Sequence, residues 1–192
     1  MNLQQRVSAF IKLGKLLGEI ANNPQESDWH STYAKAQAEN KWFTFENISI
    51  SLRGLSTMLE EEKINKWLSG YTNIPEKGEK TVALIMAGNL PLVGFHDLLC
   101  VLISGNKAVV KTSSDDKTLP QKLVGTLIEI EPSFEGLIDV VDGKMEGFTH
   151  VIATGSDNSA RYFEYYFGKY PNIIRKNRNS IAIINGDESL DE

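Results

Sequence analysis

Two rhythms of apolar and polar positions divide the chain. Over roughly the first seventy residues the spacing is helical. Val7, Phe10, Ile11, Leu13, Leu16, Leu17 and Ile20 recur at three- and four-residue steps, with Lys and Gln on the opposite side, until Asn22-Asn23-Pro24 stops the helix. Further helical stretches are expected from about Asp28 to Glu39, after Thr44 (Ile48, Leu52, Leu55, Leu59), and from Glu60 to Leu68 (Ile64, Trp67, Leu68). The polar stretch Tyr71 to Lys80, with Pro75 and Gly78, reads as a connection between two layers.

After Lys80 short apolar runs take over. Val82 to Met86, Ala108 to Val110, Leu137 to Val141, Val151 to Ala153, Ile173-Ile174 and Ile181 to Ile184 have the length of buried parallel strands. Helical stretches lie between them at about Val93 to Ser104, Leu119 to Ile130 and Asn158 to Tyr166. Strands alternating with helices predict βαβ units around a parallel sheet. The fold class is therefore α/β: a Rossmann-like parallel sheet with helices on both faces, preceded by N-terminal helices. We divide the chain into an N-terminal helical segment, 1–75, packing on the core, and an α/β domain, 76–192. The end, Asn185 to Glu192, reads as a turn leading into a new helix capped by Ser189 or Asp187, which predicts that the α/β domain is incomplete and continues in a longer polypeptide.

Composition narrows the function classes. A net charge of -5 offers no basic footprint for nucleic acid. No apolar run approaches the roughly 20 residues of a membrane span, and the start, with Arg6, Lys12, Lys15 and Glu19 through its apolar pattern, is an amphipathic helix and not a signal peptide. A single cysteine excludes an intrachain disulfide and points to a reducing cytoplasm. His30, His96 and His150 lack metal-ligand spacing, so no metal site is expected.

Chemistry concentrates at three strand-to-loop junctions, because ligands of open α/β sheets bind at the carboxyl ends of strands. The first, Met86-Ala87-Gly88-Asn89-Leu90-Pro91-Leu92, brings an amide donor, Asn89, to a strand end. Gly-Asn and Pro are also ordinary turn chemistry, which on physics alone is the stronger reading. In the second, a strand hands Lys111 to Thr112-Ser113-Ser114-Asp115-Asp116, which suits a phosphate or ribose, while a solvated lysine and a good helix cap account for it equally. In the third, Ala153-Thr154-Gly155-Ser156 opens a helix, a place for a diphosphate, without being a GxGxxG or P-loop motif. Cys100, inside an apolar helix with no base beside it, reads as a buried core residue. The aromatic run Tyr162, Phe163, Tyr165, Tyr166 and Phe167 is likewise expected in the core.

Together these stretches resemble the aldehyde dehydrogenase superfamily, and more closely its acyl-CoA reductase branch, which includes the fatty-acid reductases of bacterial bioluminescence. The resemblance runs in order through Lys41-Trp42-Phe43-Thr44, Ala87 to Asp97, Ser104-Gly105-Asn106 to Lys111, Ala153 to Ser156, Arg161 to Gly168, Pro171, Ile173 to Ser180 and Asn185-Gly186. It implies an aldehyde dehydrogenase-like nucleotide-binding domain. By that resemblance Asn89 is the oxyanion donor, Lys111 contacts the adenosine ribose or its 2′-phosphate, and Gly155 and Ser156 approach the diphosphate. Ser113 stands where many NAD-preferring relatives carry a Glu. That favours NADPH, with NADH as the second choice while Asp115 and Asp116 lie so near. The resemblance implies reduction of a long-chain fatty acyl-CoA to the aldehyde through an acyl-cysteine. The nucleophilic Cys lies downstream of Glu192, so the chain alone is expected to be inactive. The superfamily's general-base Glu is also missing: that region reads Arg175-Lys176-Asn177-Arg178, which fits reduction better than hydrolytic aldehyde oxidation. A stand-alone nucleotide-binding module is the alternative. Self-association into a homo-oligomer is left open.

Overall fold

The computed structural model describes residues 1–177 and Ile181. Apart from Ile181 itself, the expected strand over Ile181 to Ile184 and the capped helix near Ser189 lie outside the described residues. Four helices come first: α1 (Leu3–Asn22), α2 (His30–Glu39), α3 (Phe45–Met58) and α4 (Glu61–Leu68). Local chemistry sets their starts. Asn2 and Gln5 form a reciprocal capping box on α1, and the Thr44 hydroxyl caps α3 by accepting the Asn47 N–H at 3.1 Å. The helix expected from Asp28 begins two residues later, at His30, with the fully buried Trp29 in the N-cap position.

The second half alternates β1 (Thr81–Ile85), α5 (Phe95–Ile103), β2 (Lys107–Lys111), α6 (Thr118–Ile130), β3 (Ile138–Val140), β4 (His150–Thr154), α7 (Asp157–Phe167) and β5 (Asn172–Arg175). All pairings are parallel, in the order β3-β2-β1-β4-β5. The chain thus winds outward in opposite directions from the central β1. Since βαβ crossovers are right-handed, helices on the two arms fall on opposite faces. Side chains alternate to match: Val82, Leu84, Ala108 and Val110 join α1, α3, α5 and α6 in one large cluster. Ala83, Val109, Val151 and Ala153 face the other way, against Phe163 and Phe167 of α7.

The N-terminal helices share the large cluster with the sheet. Their tie is Arg6, read in the sequence as one of the charges that make α1 amphipathic but 1% exposed in the fold. Its guanidinium donates to the carbonyls of Ile103 at 3.0 Å, Met1 at 3.0 Å and Pro75 at 2.8 Å, and to that of Glu76. A buried cation thereby joins α1, the 71–80 connection and the end of α5. Among the described residues no helix is long and apolar enough to cross a membrane.

Candidate functional site

Strand register assembles the site. Ile85 of β1 is opposite Lys111 of β2 on one side and Ala153 of β4 on the other. The three strands therefore end level, about 4.8 Å apart, and their loops emerge along one edge. This edge includes the gap between β1 and β4 where the winding reverses, the place where doubly wound sheets bind ligands. Asn89 is exposed just beyond β1, Lys111 is the half-buried last residue of β2, and Ser113 lies in the turn after it. Gly155 follows β4, and Ser156 caps α7, its Oγ accepting the Ser159 N–H at 3.2 Å.

Lys111, Ser113, Gly155 and Ser156 have structural work as well. Lys111 Nζ donates to the Gly143 carbonyl at 3.0 Å, which leaves two of its three protons for a ligand. The Ser113 hydroxyl accepts the Asp115 N–H at 3.2 Å. A Cβ on Gly155 would lie 2.9 Å from both Ser159 and Phe163, so close packing of α7 on the strand accounts for that glycine. Asp157, in the first turn of α7, accepts the Asn177 N–H at 3.3 Å, and its charge offsets part of the field the helix end offers an anion.

Beside Lys111 a cavity of about 580 Å³ opens between the 141–149 loop and the end of α7; Phe148, Tyr166, Phe167 and Tyr170 supply aromatic walls, and Lys144 and Lys169 add cationic rims. The sequence placed the aromatic run of α7 in the core. Only Phe163 and Phe167 pack there. Tyr162, Tyr165 and Tyr166 are 66%, 83% and 61% exposed, because α7 has sheet on one side only and nothing described covers its outer face.

Cys100 also departs from expectation. It is half-buried, and His96, one turn earlier, places both ring nitrogens 3.8 Å from Sγ. The i, i+4 spacing was a local signal for that neighbour. Burial, reinforced by the Asp97 charge and opposed by Arg175, pushes the thiol pKa up, the reverse of what an attacking thiolate needs. Asp97 is itself gripped by Arg175 at the end of β5, whose Nη1 is 2.6 Å from both carboxylate oxygens. This pair spans 78 positions, and no local pattern announces it. Arg178 lies outside the described residues. Reasoning from sequence also missed Asp116 as a structural group. It is buried, accepts the Leu92 N–H at 2.7 Å, and ties the β2 turn to the β1 loop.

Residues 24–162 match the model of the family described as acyl-CoA reductase, LuxC. The chain belongs to that family. The long-chain acyl-protein thioester reductase of Photorhabdus laumondii is 24% identical over 179 residues, covering 82% of this chain and 36% of the relative. The chain thus spans about a third of the length of that curated relative. Aldehyde dehydrogenases share the fold. A putative enzyme from Burkholderia cenocepacia superposes with a TM-score of 0.66 at 13% identity, over 91% of this chain and 40% of the other. An NAD-dependent benzaldehyde dehydrogenase from Corynebacterium glutamicum gives 0.66 at 15%, over 91% and 41%. The LuxC-family chain therefore carries an aldehyde dehydrogenase-like α/β fold.

Proposed function

We propose that this chain is the cofactor-binding portion of an NADPH-dependent reductase that converts a fatty acyl thioester to the aldehyde through an acyl-cysteine on a segment it does not contain. The observation that carries the reading is the level ending of β1, β2 and β4, which sets Asn89, Lys111 and Ser156 along one edge at the reversal of the sheet.

The residues present fit a nicotinamide dinucleotide. Lys111 would meet the adenosine ribose or its 2′-phosphate, with the aromatic cavity beside it for the base. Ser113 presents no carboxylate to repel a 2′-phosphate, and the first turn of α7, with Gly155 and Ser156, would receive the diphosphate. The bound cofactor supplies the hydride; the protein's part is orientation and charge. Asn89 would donate its side-chain amide to the oxyanion that forms when the thioester carbonyl is attacked, a donor set in place before the charge develops. A second cavity of about 320 Å³, lined by Met58, Lys63, Ile64, Trp67, His96 and Leu99, lies on the outer side of α5. With Leu90 and Val93 exposed next to Asn89, it would shelter an acyl chain.

Coenzyme A is the acyl carrier we favour, from the family's description; the Photorhabdus relative's name favours a protein-bound thioester as the second reading. A stand-alone nucleotide-binding module remains the alternative for the chain by itself. The test is NADPH binding to the 192-residue chain by fluorescence, then assay with a fatty acyl-CoA. Binding without cofactor oxidation is expected. Oxidation by this chain would overturn the assignment of the nucleophile, and no affinity for NADPH or NADH would overturn the cofactor assignment.

A further inference from the structure

The proposed reaction gives no role to the most deeply buried carboxylate at the site. Asp116 is 3% exposed, in the turn between β2 and α6, and its Oδ2 accepts the Leu92 backbone N–H at 2.7 Å. Leu92 has φ +60°, and among the described residues it is the one non-glycine with a positive φ. That conformation crowds Cβ against the following carbonyl, so it persists only where surroundings enforce it. Here they do so twice: the Leu92 side chain is buried in the large core, and its N–H is held by Asp116.

On the other side of Asn89 the same turn makes a second contact. A Cβ on Gly88 would lie 2.4 Å from Ser113 Cβ and 3.1 Å from the Asp116 nitrogen. The segment Gly88–Leu92, with Asn89 in it, is therefore gripped at both ends by residues 113–116. Neither grip is visible in the strand pairing.

We propose that Asp116 is the positioning residue for Asn89, fixing through the Leu92 amide the left-handed turn that presents Asn89 at the end of β1. The catalytic meaning of this rests on the reading of Asn89 as oxyanion donor; the latch itself does not. Its strength also responds to a proton. Asp116 Oδ1 is buried without a hydrogen-bond partner. The charges around it do not neutralise it. From α2 comes the Glu39 carboxylate, which accepts from the Thr118 hydroxyl at 2.6 Å; from its own turn come Asp115, exposed, and Lys117, paired with Asp142 at 2.8 Å; the β1 loop, 86–94, brings no charged group. Burial first, then Glu39, pushes the Asp116 carboxyl up to about 7, against the opposing pull of the Leu92 N–H. Ionisation near neutrality would turn a neutral hydrogen bond into a charge-assisted, shorter one.

The experiment is amide NMR on the 15N-labelled chain from pH 5 to 9. The Leu92 amide proton should move downfield with a midpoint near 7, and Asp116→Asn, which keeps an acceptor, should abolish that titration while leaving the fold intact. Asp116→Ala should raise Leu92 amide exchange at least tenfold relative to Val109 in the sheet and loosen the Asn89 signals. Adding Leu92→Gly, which adopts the turn without strain, should restore order at Asn89. A Leu92 amide that ignores pH in the wild type and exchanges no faster in Asp116→Ala than in the wild type would overturn the latch. Separately, unchanged thioester reduction by Asn89→Ala in a full-length reductase carrying this chain would defeat the role of Asn89 while leaving the latch standing.

Discussion

The two faces of the sheet are built to different depths. One carries α1, α3, α5 and α6 in a continuous core that runs from Phe10 and Leu17 through Leu52 to Leu102 and Leu127. The other has α7 alone, and its buried members are Ala83, Val109, Met145, Val151 and Ala153, mostly small. Burial of a large aliphatic side chain contributes roughly 1.5–3 kcal/mol, so stability resides on the first face. The second is thin enough to leave a cavity of about 580 Å³ beside Lys111, with tyrosines at its rim. One face holds the strand ends still, and the other leaves them room. The difference separates residues whose loss should unfold the protein from residues whose loss should change only what it binds.

The sharpest way to break this contrast is Arg6. Its guanidinium joins α1 to Pro75, Glu76 and Ile103 from within the deep face. Arg6→Ala removes the donors and leaves buried carbonyls without partners, for an expected loss of about 3–5 kcal/mol in urea unfolding. Arg6→Lys keeps the charge but not the fork and should recover only part of it. A loss under about 1 kcal/mol would mean the N-terminal helices are held by apolar contacts alone.

Next comes the seam between the faces. Because the Asp116 carboxyl is raised in the folded chain, the fold binds a proton that the unfolded chain releases between about pH 4 and pH 7. Stability from this group is fully present below pH 4 and is lost as pH rises through 7. Asp116→Asn should therefore match the wild type near pH 4 and exceed it at pH 8, by up to about 4 kcal/mol. Chemical unfolding at the two pH values reads this directly, and equal stabilities at pH 8 would count against a buried, strained carboxylate.

How much of this was legible beforehand follows from the range of each interaction. Strands and helices were legible because Val82 to Met86 and Ala108 to Val110 carry their period locally, and all seven α-helices among the described residues end within about a residue of the expected positions. Asn89, Lys111 and Ser156 were singled out because each sits at a strand end, and the level ends of β1, β2 and β4 set them along one edge. What failed was partnership across the chain. Arg6 read only as one of the charges of an amphipathic helix because its carbonyl partners lie up to 97 positions away. Asp116 read as a nearby carboxylate bearing on the choice between NADPH and NADH, because nothing local shows that Leu92 would turn over it. Tyr165 read as core because helical spacing says which residues share a side, not whether anything covers that side.

On the thin face Lys111→Ala should leave stability within about 1 kcal/mol, since one exposed hydrogen bond to Gly143 is lost. NADPH affinity should fall about tenfold or more, equivalent to ~1.4 kcal/mol, and NADH affinity by less. Equal losses for the two cofactors would place the lysine at the ribose instead of the 2′-phosphate.

The smallest effect tests the thinness itself. Tyr165 is 83% exposed on the outer side of α7, with its ring 5.0 Å from that of Tyr166. Tyr165→Ser removes an aromatic side chain from solvent and a ring contact with no core behind it. Melting of the isolated chain should therefore change by no more than about 0.5 kcal/mol. Tyr166→Ser should be as mild for stability yet weaken cofactor binding, because Tyr166 lines the cavity that Lys111 shares and Tyr165 does not. If Tyr165→Ser instead destabilises the chain in proportion to protein concentration, its ring is buried against a second copy, and the outer side of α7 is an interface and not a bare surface. Concentration dependence separates those outcomes, because a surface residue of a monomer shifts the melting curve equally at every dilution.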